Sequence, residues 1–129
     1  MKIKNILSVF VFVFVSSLVV ASHARGLEIE DEGRPIEVKA GQEFTIKLQS
    51  NATTGYQWKI DGKLDEKVVK FVRSDYKALP VKMMGAGGWE FWIFKAEGQG
   101  TTKINMIYIR PWEKQGFKEK TKTFSVIVR

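Results

Sequence analysis

From Glu43 to Ser50 the chain alternates: Phe44, Ile46 and Leu48 are apolar, while Thr45, Lys47 and Gln49 are polar. Successive side chains of a strand project to opposite faces, so a period of two buries one face and wets the other, which a helix cannot do with the same pattern. The pattern returns at Tyr56, Trp58 and Ile60, at Ile104, Met106 and Tyr108, and at Phe124, Val126 and Val128. Trp89 to Ala96 differs, with apolar residues at both parities, as expected of a central strand covered on each side. Val68 to Val72 fits neither template. Gly41-Gln42, Asn51 to Gly55, Asp61-Gly62, Gly85 to Gly88, Gly98 to Gly100 and Pro111 to Gly116 break the runs. About seven short strands, with no amphipathic helix and no repeat, predict an all-β domain, an antiparallel β-sandwich of immunoglobulin-like type. The Cys-Trp-Cys landmark of antibody domains is absent. Trp58, Trp89 and Trp92 are expected in its core, and Met83 and Met84 partly exposed.

The domain begins after a leader. Lys2 and Lys4 precede an apolar run from Ile6 to Val20, and Ser22 and Ala24 place small residues three and one before a cut at Arg25. That is the arrangement of a secretory signal peptide, and the run is shorter than the roughly 20 residues of a membrane-crossing helix. The alternative is an uncleaved N-terminal anchor. Residues 1–24 are therefore read as the signal peptide and residues 25–129 as a single domain, exported to the periplasm or secreted.

Loss of Lys2 and Lys4 lowers the net charge from +7 to +5. The basic residues are dispersed, as on solvated strand edges that resist sheet-to-sheet association, which argues against a nucleic-acid partner. No Cys occurs, so the apolar core alone holds the fold, and the only histidine, His23, lies in the leader. Thiol nucleophiles, Ser-His relays and transition-metal sites built on His or Cys are thereby excluded from the mature domain. The pairs Glu28-Glu30, Asp31-Glu32 and Asp65-Glu66 lack ligand spacing and are read as solvated turn residues. No cofactor, metal or catalytic residue is expected.

Three segments exceed what chain reversal requires: Asn51-Ala52-Thr53-Thr54-Gly55-Tyr56, Gly85-Ala86-Gly87-Gly88 and Arg110-Pro111-Trp112. A sandwich topology can place all three at one end, as immunoglobulin folds place their recognition loops, though sequence alone does not fix that clustering. Taken singly, each has a plainer reading: a turn, a flexible link, and an aromatic capping the core. Together and in this order they resemble the motifs Asn-Pro-Thr-Thr-Gly-Tyr/Phe, Gly-x-Gly-Gly and Arg-Pro-Trp of the chagasin-type inhibitors of papain-like cysteine proteases. The likeness spans nearly all of the mature chain.

The resemblance implies a monomeric, reversible, non-covalent inhibitor whose three loops form a wedge in a protease's active-site cleft. Thr53 and Thr54 would lie nearest the catalytic cysteine, Gly85 to Gly88 along the non-primed side, and Arg110 with Trp112 on the primed side. The residue chemistry agrees with this. A loop that fills the cleft without presenting a carbonyl to the sulfur and its oxyanion donors blocks the site uncut, so the plug needs no reactive group. Adjacent threonines are stiff at χ1 and lose little entropy on docking. Gly55 can close the turn at positive φ, glycines at 85, 87 and 88 let main chain approach a wall, and Trp112 offers an anchor whose swing Pro111 limits.

One departure is plain. Ala52 stands where the family has proline, which removes a restraint on Asn51, so a more mobile loop of somewhat lower affinity is expected. Asn51-Ala52-Thr53 is also an N-glycosylation acceptor, and a sugar there would obstruct the wedge. Two other classes of function compete: a carbohydrate-binding or adhesive sandwich using exposed tryptophans, and a carboxylate-only glycosidase using Asp65 and Glu66.

Overall fold

The computed structural model describes residues 26–80, 87–113 and 120–129. Among these residues there are eight strands, β1 (Leu27–Ile29), β2 (Ile36–Val38), β3 (Glu43–Ser50), β4 (Gln57–Ile60), β5 (Val69–Ala78), β6 (Gly88–Ala96), β7 (Gly100–Ile109) and β8 (Lys120–Val128), with one 3-10 turn at Ala52–Thr54. Among the described residues there is no α-helix. The strands form two four-stranded sheets, ordered β1-β3-β6-β5 and β2-β8-β7-β4. The leader read at residues 1–24, together with Met83 and Met84, lies outside the described residues.

The alternating stripes become the facing layers of the sandwich. Phe44, Ile46 and Leu48 on β3 pair opposite Phe94, Trp92 and Glu90 on β6. Ile104 on β7 pairs with Phe124 on β8, and Thr102 with Val126. Phe44, Phe94, Phe124, Ile46, Leu48, Ile104, Met106, Val69 and Val126 are fully buried in one core, with Trp58 and Trp92 beside them. Burying a side chain of this size contributes about 1.5–3 kcal/mol, which lets a chain without disulfides hold together.

Two edge pairings are parallel, β1 with β3 and β2 with β8, so the sandwich is not antiparallel throughout. A tight hairpin enforces antiparallel pairing only between consecutive strands, and neither of these pairs is consecutive. β6 does lie centrally, between β3 and β5. Its outer face, however, is not covered by another layer among the described residues: Trp89 and Phe91 are half-buried there, and Ile93 is buried. Trp89 is therefore not a core residue; the Lys47 ammonium lies 4.3 Å from its ring and supplies part of its cover.

The ambiguous segment is an edge strand leaving the core. Val68 and Val69 are buried, whereas Phe71 and Val72 are each 41% exposed, and Val72 is the unpaired residue of a register shift between Phe71 and Arg73. The irregularity and the charges of Lys70, Arg73 and Lys77 discourage a further strand from pairing there. The carboxylates serve turns and connections: Asp31 accepts from the Gly33 N–H at 2.8 Å, Asp65 from the Lys67 N–H at 3.2 Å, and Glu32 from the Thr123 N–H at 3.0 Å. Among the described residues no group of His, Cys, Asp or Glu is placed to hold a metal.

Candidate functional site

At the end of β3 the chain turns through Asn51, whose backbone is extended at φ −123° and ψ 96°. A proline at position 52 would demand such a conformation of the residue before it. Here the side chain of Asn51 supplies the restraint. Its Oδ1 accepts from the Thr53 N–H at 3.1 Å and from the Thr53 hydroxyl at 2.6 Å, and its carbonyl accepts from the Thr54 hydroxyl at 2.7 Å. These are the bonds of an N-cap, here starting a single 3-10 turn. Gly55 ends the turn at φ +84°, donating its N–H to the Ala52 carbonyl at 3.1 Å. Ala52, Thr53 and Thr54 are left exposed at the tip.

The third motif folds against the first. β4 and β7 pair antiparallel, with Gln57 opposite Ile109, so the residues just beyond that pair, Tyr56 and Arg110, meet outside the sheet. The Arg110 guanidinium lies 4.4 Å from the centre of the Tyr56 ring, and its Nε–H donates to the Thr54 carbonyl at 3.1 Å. Glu113 accepts from Arg110 Nη1 at 2.9 Å and donates its own N–H to the Arg110 carbonyl at 3.1 Å, closing a turn over Pro111 and Trp112. The Trp112 ring crosses Gly55 so closely that a Cβ there would run into it, yet it remains 70% exposed. Gly55→Ala combines positive φ with this collision. It is expected to lower stability by about 1–2 kcal/mol in a thermal melt, the range for alanine forced into a left-handed position.

Of the second motif, Gly85 and Ala86 lie outside the described residues. Gly87 adopts φ +76°, accepts from the Leu79 N–H at 3.0 Å, and sits so that a Cβ would come 3.2 Å from the Ser50 carbonyl. Gly88 is not a loop residue. It is buried at the start of β6 between Ser50 and Ala78, where a Cβ would approach the Tyr76 hydroxyl to 2.8 Å and the Lys77 carbonyl more closely still. The demand for glycine at 88 comes from strand packing. Among the described residues, the strand ends that flank the three segments share one end of the sandwich: β3, β5 and β7 run toward it and β4, β6 and β8 return, with Gly87 beside Ser50 and Asn51 bonded to Tyr108 across the sheets.

Two supporting residues carry no motif signal. The Tyr108 hydroxyl accepts from the Asn51 N–H at 2.8 Å and ties β7 to the start of the first loop. Glu90, 9% exposed, faces inward beneath that loop, accepting from the Ser50 hydroxyl at 2.6 Å, the Trp92 Nε1–H at 3.0 Å and the Trp58 N–H at 3.2 Å. A tyrosine in place of phenylalanine on a core stripe, and a lone carboxylate in an apolar strand, were the available signals. The four tryptophans present no flat row for a sugar: Trp58 and Trp92 are buried, Trp89 is half-buried under Lys47, and Trp112 alone is broadly exposed.

A β-sandwich with a Thr-Thr turn and an Arg-Pro-Trp turn joined at one pole defines a class, and the sequence match agrees. Residues 37–128 match the chagasin family peptidase inhibitor I42, and the chain belongs to that family. It is 34% identical to chagasin of Trypanosoma cruzi over 83 residues, 62% of this chain and 76% of chagasin. It is 27% identical to amoebiasin-2 of Entamoeba histolytica over 120 residues, 92% of this chain and 98% of that relative. The fold is similar to the crystal structure of a cysteine protease inhibitor from Entamoeba histolytica, with a TM-score of 0.65 and 26% identity, covering 80% of this chain and 92% of the other.

Proposed function

We propose that this domain inhibits papain-like cysteine proteases reversibly and without covalent chemistry, by seating the edge formed by Thr53, Thr54 and Trp112 in the active-site cleft. The observation that carries the reading is the joining of the first and third motifs into one exposed edge through the Arg110–Thr54 hydrogen bond and the Trp112 ring over Gly55. An edge ordered before binding loses little entropy when it docks. Thr53 and Thr54 project furthest in sequence from the strands that anchor them and lie nearest the protease sulfur; Gly85 to Gly87 border the non-primed side and Trp112 the primed side. Because the tip offers no scissile carbonyl in line with the oxyanion donors, the complex persists uncut.

Residues 1–24 act as a signal peptide in this reading, and the mature domain works as a monomer in the periplasm or outside the cell. This reading requires Asn51 to be unglycosylated, since a sugar on its Nδ2 would stand beside the tip and in the way of docking.

Titration of papain or a cathepsin L-like enzyme with the mature domain tests the function; no inhibition at micromolar concentration by folded protein would refute it. Thr53→Gly with Thr54→Gly is expected to weaken inhibition about 10-fold or more, a loss of about 1.4 kcal/mol, because the stiff tip becomes floppy. The melting temperature should fall by only a few degrees, since both residues are exposed. A large fall in melting temperature with unchanged inhibition would make the tip structural.

A further inference from the structure

We infer that Arg110 and Tyr56 are positioning residues for the inhibitory edge, acting through Thr54 and not mainly through contacts of their own with the protease; this rests on the inhibitory reading above. Four flat groups run from the core to the tip. The Trp58 ring, 3% exposed, lies 5.0 Å from Tyr108, which stacks at 5.2 Å on Tyr56, and the Arg110 guanidinium covers Tyr56 at 4.4 Å. The last member of this column reaches the loop directly, through the Arg110 Nε–H to the Thr54 carbonyl at 3.1 Å.

The orientation of the guanidinium is therefore set from three directions: one face by Tyr56, the Nε edge by Thr54, and Nη1 by Glu113 at 2.9 Å. A group held in this way is poorly free to follow a protease surface, but it is well suited to holding a loop. The β4–β7 register places Tyr56 and Arg110 just beyond the Gln57–Ile109 pair, so the column translates sheet register into the position of Thr54. Lysine cannot replace arginine here, because it lacks both the flat face and the Nε–H.

The test compares Arg110→Ala, Arg110→Lys and Tyr56→Leu with the unaltered domain. In the free protein, amide hydrogen exchange at Thr54 and Gly55 is expected to speed up about 10-fold or more in all three variants, with melting temperatures within a few degrees of the parent. Inhibition of papain is expected to weaken about 10-fold for both Arg110→Ala and Arg110→Lys. In the Thr53→Gly, Thr54→Gly background, Arg110→Ala should cost less than about 3-fold more, because the strut still grips the carbonyl at 54 but holds a tip that has lost the threonine side chains it positions. Unchanged exchange at the tip, full rescue by lysine, or losses that multiply independently would overturn the inference and make Arg110 a direct contact. Failure of the unaltered domain to inhibit would overturn the inhibitory reading itself, a result separable from the exchange measurement, which needs no protease.

Discussion

Trp112→Ala should dissociate from papain about 30-fold faster than the unaltered domain, corresponding to about 2 kcal/mol, while association changes less than about 3-fold. The ring is 70% exposed and rests on Gly55, a residue without a side chain. It therefore gains little burial in the free domain and has a large area left to bury against a partner. Tryptophan dominates binding hot spots because it brings much apolar surface on few rotatable bonds. The melting temperature should stay within a few degrees. A steep fall in melting temperature with an unchanged dissociation rate would show that the ring caps the loop turn and contributes nothing to docking.

Glu90→Ala should show the opposite profile, with a loss of about 3–5 kcal/mol in stability. The carboxylate accepts from the Ser50 hydroxyl, the Trp58 N–H and the Trp92 indole, and no buried side-chain polar atom among the described residues lacks a partner. Removing the acceptor leaves three donors without their partner in a largely buried site, and each buried donor left unpaired costs about 1–3 kcal/mol. For a domain of this size, 3 kcal/mol corresponds to roughly 10–20 °C in melting temperature. Glu90→Gln keeps the shape but turns an N–H₂ toward some of those donors, so an intermediate loss is expected. A thermal melt in which Glu90→Ala matches the parent would show that water reaches the site and replaces the carboxylate. Because Ser50 immediately precedes the first loop, the Glu90→Ala variant should also loosen Asn51, visible as faster amide exchange there.

The stripes at Phe44, Ile46 and Leu48, at Ile104, Met106 and Tyr108, and at Phe124, Val126 and Val128 were legible because burial on one face of a strand imposes a period of two on the residues themselves. Trp89 was misread for the same reason. Apolar residues at both parities look like a strand covered twice, but the outer cover is a lysine from the neighbouring strand, which sequence distance hides. β1 and β2 carry too few residues for a pattern, and their parallel pairing depends on which distant strand has a free edge. Gly88 was grouped with a loop because glycines cluster from 85 to 88, although the demand at 88 arises from the Lys77 backbone and Tyr76 hydroxyl packed against it.

Local chemistry is written in neighbouring residues. Asn51 can cap Thr53 and Gly55 can turn left-handed whatever surrounds them, so the presence of a shaped tip followed from the order of residues alone. The match of residues 37–128 to an inhibitor family belongs to the same kind of information. What the folded chain added is the coupling between parts: Arg110 under Thr54, Tyr108 beneath Asn51, Trp112 across Gly55, and Glu90 facing inward. Each pairs residues more than 30 positions apart or depends on which face of a strand turns inside. Such proximity is set by the register of strands closing around a shared core, which no short window of sequence contains.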